Sequence, residues 1–241
     1  MKVILLFVFS LFFFHTYAQG GSDEQLAQHY YSKGEFDKAV TYYEKLYNQS
    51  PTKINFDRYY DCLLQVKDYK EAEKVLKKES TLKKNDIEFQ ILMAEFYELT
   101  DNSSKSIKIY EKIIDDLPTN NKTIINTFDV LLNHNKNDYA YQVLVKGRKL
   151  LKKDYPLNLQ FAAYYAVIAN KEKMLEEYFD LLKNAPYFIN TVQTRLSSVM
   201  NVTDRFSEDY ELLRVYFLKE IQAHPNDDTN QEMLSWLFIS G

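Results

Sequence analysis

Apolar and small residues return in this chain at intervals of 33 or 34 residues, and that spacing limits the fold more than any other feature. Phe36, Ala39 and Tyr43 are answered by Tyr69, Ala72 and Leu76, then by Ser106 and Tyr110, Ala140 and Leu144, and Met174 and Tyr178. Pro51, Pro118 and Pro186 lie 67 and 68 residues apart, two periods each. The unit is easiest to read from Tyr30 to Pro51. Gly34 stands where one helix must end and the chain reverse, and glycine accepts the positive φ such a reversal needs. Phe36, Ala39, Val40, Tyr43 and Leu46 then recur at steps of three and four and line one face of a second helix. Ala39 is small where a neighbouring helix comes closest. Pro51 cannot continue that helix but suits the first turn of the next.

A fixed period near 34 carried by helix–turn–helix units resembles the tetratricopeptide repeat family. The resemblance covers roughly Asp23 to Pro186. It is closest in the first unit, through Leu26, Ala27, Tyr30, Gly34, Ala39, Tyr43 and Pro51, and it drifts later. The turn glycine is absent from the next four units, and the small residue becomes Met174 in the fifth. The resemblance implies an all-α fold, a right-handed α-solenoid of antiparallel helix pairs forming a superhelix. It also implies a binding surface on the first helices of the pairs.

Composition agrees with such a fold and excludes others. Hydrophobic residues make up 46% and aromatics 15%, enough to fill a continuous core between stacked helices, while 5 Gly and 5 Pro are too few for an all-β chain of many turns. The net charge of −4 and the lack of a basic stripe argue against nucleic acid as the partner. Short basic runs such as Lys83–Lys84 read as solvated helix ends, where lysine complements the dipole. A single cysteine, Cys62, excludes an intrachain disulfide and a cysteine-pair metal site.

In chain order, residues 1–18 read as a secretory signal peptide. Lys2 supplies the positive start, Val3 to Phe14 an apolar run too short to span a bilayer, and Thr16-Tyr17-Ala18 a cleavage site before Gln19. An uncleaved anchor helix is the alternative. The expectation is therefore an exported protein, periplasmic or in the cell envelope, or secreted. Residues 19–22 read as a flexible lead-in. Five helix pairs are expected over 23–186, with helices at 23–33 and 36–49, 53–66 and 69–80, 86–99 and 103–116, 120–134 and 137–152, and 157–169 and 171–184. A sixth, irregular pair with an enlarged turn is expected over 187–225. Residues 226–241 read as the first helix of a truncated seventh repeat. Its Met233, Leu234, Trp236, Leu237 and Phe238 are expected to lack a covering partner, which suggests the N-terminal part of a longer chain.

No catalytic set survives inspection of the spacing. His15, His29, His134 and His224 include no i, i+4 pair, and there is no phosphate-cradling glycine loop and no G-x-S-x-G. No enzyme activity, cofactor, metal or small-molecule substrate is expected. The candidate partner-binding residues lie on the first helices: Glu24, Gln28, Asp57, Asp61, Glu95, Glu98 and Asp129 as an acidic row, followed by Leu159, Ala163, Ala166 and Val167 as an apolar patch. Tetratricopeptide clamps for acidic chaperone tails present Lys, Arg and Asn on this face, so the resemblance points here to a basic or amphipathic protein or peptide instead. The expected function is a protein–protein interaction scaffold; the alternative is the recognition arm of a larger enzyme or sensor with its working domain beyond Gly241.

Overall fold

Five chain reversals in this protein are built from the same two backbone hydrogen bonds. The computed structural model describes residues 23–84, 86–152 and 156–241, so the signal-peptide and lead-in expectations fall outside the described residues. Helix α1 covers residues 23–32. It is followed by α2 (Phe36–Gln49), α3 (Lys53–Gln65), α4 (Tyr69–Leu82), α5 (Ile87–Leu99), α6 (Ser103–Asp115), α7 (Asn121–Asn133), α8 (Asn137–Leu151), α9 (Asn158–Val167) and α10 (Lys171–Asn184). After a 3-10 turn at Pro186–Phe188 come α11 (Ile189–Val199), α12 (Glu208–Ala223) and α13 (Asp228–Ser240). No strand occurs among the described residues. The fold is all-α and made of helix pairs, as the periodicity predicts.

At the first reversal the Glu35 N–H donates to the Tyr30 carbonyl at 2.9 Å and the Gly34 N–H to the Tyr31 carbonyl at 3.0 Å. These are the two bonds of a Schellman ending, which satisfies carbonyls that a helix terminus leaves free. The same pair recurs at Asp68 and Lys67, Asn102 and Asp101, Lys136 and Asn135, and Asn170 and Ala169. The central residue is left-handed each time: Gly34 at φ 71°, Lys67 at 60°, Asp101 at 56°, Asn135 at 57° and Ala169 at 56°. Four of the five turns keep this geometry without a glycine. The residue after it then opens the second helix; the side chains of Asp68 and Asn170 accept from the N–H groups of Glu71 and Lys173.

Two compact units are distinguished, Met1–Ile113 and Ile114–Gly241. In the first, Ala27, Ala39 and Ala72 are fully buried, small residues where backbones approach. Aromatic rings fill the space between them: Tyr47 stacks on Tyr59 at 5.8 Å, and Phe56 meets Tyr60 at 5.5 Å and Phe89 at 5.3 Å. The buried Tyr47 hydroxyl donates to Glu79 at 2.5 Å, and Lys83 at the rim pairs with the same carboxylate at 3.0 Å. In the second unit Ala140, Val143, Leu144, Leu175, Val192, Leu196, Leu213 and Phe217 are sealed from solvent. Gly147 on α8 lets α7 come close, since a Cβ there would lie 2.6 Å from Ile124 Cγ2.

The last pair departs from the rule. No left-handed residue ends α11; the chain from Asn201 to Ser207 is shaped by side chains instead. The Asn201 N–H donates to Asp209 at 2.9 Å, Lys171 pairs with the same carboxylate at 2.5 Å, and Ser207 Oγ donates to the Asn201 carbonyl at 2.9 Å. Helix α13 falls within the expected 226–241, and Asp227 caps it by accepting from the Thr229 N–H. Contrary to expectation it is covered on one side: Met233 and Leu237 are fully buried where α13 packs on α12, and Phe238 and Ile239 remain exposed.

Two measurements test this account. A left-handed alanine costs roughly 1–2 kcal/mol relative to glycine, and the extra freedom of an unfolded glycine offsets about 0.4–1 of that. Ala169→Gly, at an exposed turn, should therefore stabilise the protein by about 0.5–1 kcal/mol in urea denaturation. The second concerns alkali. Burial foremost raises the hydroxyls of Tyr47, Tyr59, Tyr60 and Tyr216, and pushes Tyr165 and the Cys62 thiol up to about 12. The unfolded chain ionises its tyrosines near pH ~10, so above that the folded state holds more protons than the unfolded one. The stability these groups contribute is complete below the unfolded values and is lost as pH rises toward the folded ones. The thermal midpoint should fall steeply above about pH 10.

Candidate functional site

The first helices of the first unit carry five of the six predicted carboxylates: Glu24, Asp57, Asp61, Glu95 and Glu98. Asp129 belongs to the second unit. What the acidic groups touch separates them.

Asp61 is the best-held member. The Tyr31 hydroxyl on α1 donates a short hydrogen bond to it across to α3. Gln65, one turn on, donates at 3.4 Å, and the Arg58 guanidinium lies 4.4 Å from the centre of the Tyr31 ring, within cation–π range. The hydrogen bond to Asp61, followed by burial, raises the Tyr31 hydroxyl above the usual tyrosine range, and Arg58 opposes the shift. Asp57 pairs with Lys53 one turn earlier at 2.8 Å, both side chains being well exposed. Glu24 accepts from Gln28 at 3.3 Å. Glu98 turns toward the second helix of its own pair and accepts from the buried Ser106 hydroxyl at 3.1 Å. Glu95 on α5 acts on Tyr60 of α3, adding to the burial that holds that hydroxyl protonated. Two apolar side chains stand open on the same helices, Ile54 at the start of α3 and Leu99 at the end of α5.

In the second unit Asp129 on α7 lies within electrostatic reach of Arg195 on α11. Desolvation raises its carboxyl and Arg195 opposes that shift. Arg195 also donates to the Leu159 carbonyl at 3.4 Å. Leu159, Ala163 and Ala166 are half-buried along one face of α9, and Val167 is exposed at its end.

Tyr31, Arg58 and Arg195 were not among the candidates. Tyr31 falls three residues after Gln28 on the same face, a signal present in the spacing. Nothing local marks Arg58 or Arg195, because each acts on a group of another helix. Among the described residues no group of three or more His, Cys, Asp or Glu could hold a metal ion, and no helix is long and apolar enough to cross a membrane. Cys62 is fully buried with its thiol pushed up to about 12, which suits a core residue and not a nucleophile.

The Tyr31–Asp61 bond yields a double-mutant test. Tyr31→Phe and Asp61→Asn should each destabilise the protein by about 0.5–1.5 kcal/mol. The double variant should lose less than the sum, by on the order of 0.5 kcal/mol or more, since the residues share one bond. Strict additivity in urea denaturation would show that the contact contributes nothing.

A tetratricopeptide repeat family profile matches residues 15–187. Among solved structures, a tetratricopeptide repeat protein from Parabacteroides merdae ATCC 43184 aligns over 90% of this chain and 99% of that one, at 14% identity and a TM-score of 0.35. A structure of Naa15/Naa10 bound to HypK-THB aligns over 85% of this chain at 16% identity and a TM-score of 0.36; the alignment spans 31% of that chain, about a third of its length. The MamA RS-1 ArsTM double mutant aligns over 68% of this chain and 93% of that one, at 10% identity and a TM-score of 0.35. No curated protein matches. With the profile covering residues 15–187 of 241, the chain belongs to the tetratricopeptide repeat family.

Proposed function

We propose that this protein is a non-catalytic interaction scaffold of the cell envelope. It holds a basic or amphipathic segment of a partner protein on the first helices of its first unit. Tetratricopeptide repeats in general mediate protein–protein interaction, and the family match gives that coarse function. The observation that carries the finer reading is the acidic character of α1, α3 and α5, which bear Glu24, Asp57, Asp61 and Glu95, with Ile54 on α3 and Leu99 on α5 exposed. A segment with basic and apolar residues complements both features. Export is part of the proposal and rests on Lys2, the apolar run to Phe14 and the Thr16-Tyr17-Ala18 site.

The experiment is capture from the envelope fraction of the source cell, with the parent and with a variant carrying Glu24→Gln, Asp57→Asn and Glu95→Gln. Asp61 and Glu98 are left alone because they support Tyr31 and Ser106. The parent should retain a partner at low salt that the variant loses, and capture by the parent should weaken as salt rises. Equal capture by both would make the acidic face a solvated surface. Sequencing the recovered protein should begin at Gln19; an intact Met1 in the cytosol would remove the export reading.

A further inference from the structure

The repeat lays out charges of opposite sign on the two sides of the first unit, in columns with the same spacing. On the first helices Glu24 and Asp57 are 33 residues apart, and Asp61 and Glu95 are 34 apart, so each pair of carboxylates occupies one position of successive repeats. Asp57 and Asp61 lie one turn apart on α3, which sets the two columns side by side. On the second helices lysine does the same. Lys45, Lys78 and Lys112, on α2, α4 and α6, follow at 33 and 34 residues. Lys74 and Lys108 form a second column at 34 residues, one turn away. Lys74, Lys78, Lys108 and Lys112 are all exposed.

Charge balance follows the columns. Helices α1 and α5 hold carboxylates and no lysine or arginine, whereas α4 and α6 each hold one more lysine than carboxylate. Helix α6 is tied to α4 through Tyr97 of α5, whose hydroxyl donates to Glu73 at 2.9 Å while Lys105 lies 4.8 Å from the centre of its ring. The column lysines are engaged only lightly within the chain. Lys74 pairs with Glu71 at 2.9 Å with its side chain 75% exposed, and Lys45 comes only to 4.0 Å from Asp23. Exposed ion pairs are weak, so an incoming carboxylate exchanges with them readily. Each side also leaves two large apolar side chains open, Ile54 and Leu99 on the first helices and Leu82 and Ile107 on the second.

The spacing decides which partner fits. One repeat gives both sets of columns the same step along a helix, about 6 Å for four residues, and the same step from pair to pair. Columns with a common step come into register along their whole length, whereas an unrelated surface shares that step only by chance. The two faces point away from each other, because the sides of the helices between them form the core.

We propose that the partner received by the acidic face is a second copy of this chain, which presents the lysine columns of α4 and α6. This names the occupant of the face on which the proposed function rests. Since the two faces differ, the contact is heterologous, and copies add head to tail. Opposite charges in register speed encounter and fix alignment, and salt weakens both effects.

The test compares the parent with two variants. One carries Glu24→Gln, Asp57→Asn and Glu95→Gln; the other carries Lys74→Gln, Lys108→Gln and Lys112→Gln. Lys78 is left alone because it lies over the Tyr47 ring. Sedimentation velocity and light scattering report the mass in solution. At low salt the average mass of the parent should rise with concentration, and it should return toward the monomer at high salt, the opposite of association through apolar surface. Each variant alone should associate at least about tenfold more weakly. Mixed in equal amounts, the two should form a dimer of one copy each and nothing larger, since each retains the face that the other has lost. Neither a damaged fold nor a change in net charge would give that rescue. A parent that stays monomeric at low salt and millimolar concentration, a lysine variant that associates like the parent, or a mixture without the dimer would each overturn the proposal. If the parent is monomeric yet captures an envelope protein that the acidic variant loses, the acidic face remains a binding surface and only the second copy is removed as its occupant. If it is monomeric and captures nothing, both readings fall.

Discussion

The left-handed turn that ends the first helix of five successive pairs is the constraint from which the packing follows. Its two backbone hydrogen bonds fix where the second helix starts and in which direction it leaves. That direction brings Ala39, Ala72, Ser106, Ala140 and Met174 to the crossing points, where all are buried. A non-glycine residue in this conformation costs roughly 1–2 kcal/mol, and two net hydrogen bonds return about the same. The turn therefore survives at Lys67 and Ala169 near break-even, and more comfortably at Asp101 and Asn135, whose residue types tolerate the left-handed region. The packing it enables, and not the turn itself, supplies the margin. Where the turn is absent, after α11, a set of side chains around Asp209 has to do the same task, and the connection lengthens.

This explains which parts of the fold could be read from the sequence. The core positions of α2, α4 and α8 were legible because burial demands apolar or small residues at a fixed spacing. Gly34 was legible because glycine is the usual residue for positive φ. Lys67 and Ala169 were not, because only their spacing, and not their chemistry, marks them; Asp101 and Asn135 are of types that tolerate positive φ, which is a weaker signal than glycine. The candidate site was legible as positions on helices but not as partnerships. The Lys53–Asp57 pair lies one turn apart and is visible in the sequence; the Tyr31–Asp61 bond spans 30 residues and exists only because two successive pairs stack.

The polar groups inside the units follow one logic. A tyrosine-rich core buries hydroxyls that must find acceptors. Tyr47 finds Glu79, which then needs Lys83 at the rim; Tyr97 donates to Glu73 at 2.9 Å, and Lys77 holds that carboxylate at 2.6 Å. Each chain runs from a ring to an acid to a surface lysine and so reaches water without leaving a charge alone. Breaking such a chain by removing one partner is far more costly than the net stability of the intact chain suggests, since the remaining group stays buried.

The same distinction bears on the binding proposed for the acidic face of the first unit. An exposed ion pair contributes about 0–1 kcal/mol, so a cation arriving at Asp57 displaces Lys53 at little cost. Asp61 behaves otherwise. Its hydrogen bond from Tyr31 and the stacked Arg58 join α1 to α3, and a ligand that captured this carboxylate would have to undo part of the packing between two pairs. Binding on this face is therefore expected to use Asp57 and Glu24 for rapid, salt-sensitive contacts while Asp61 keeps the surface in shape. Under the proposed function, losing Asp57 would weaken a partner's hold, and losing Asp61 would disturb the packing of α1 on α3. Affinity and stability should thus respond to different carboxylates, although both lie on one helix a single turn apart.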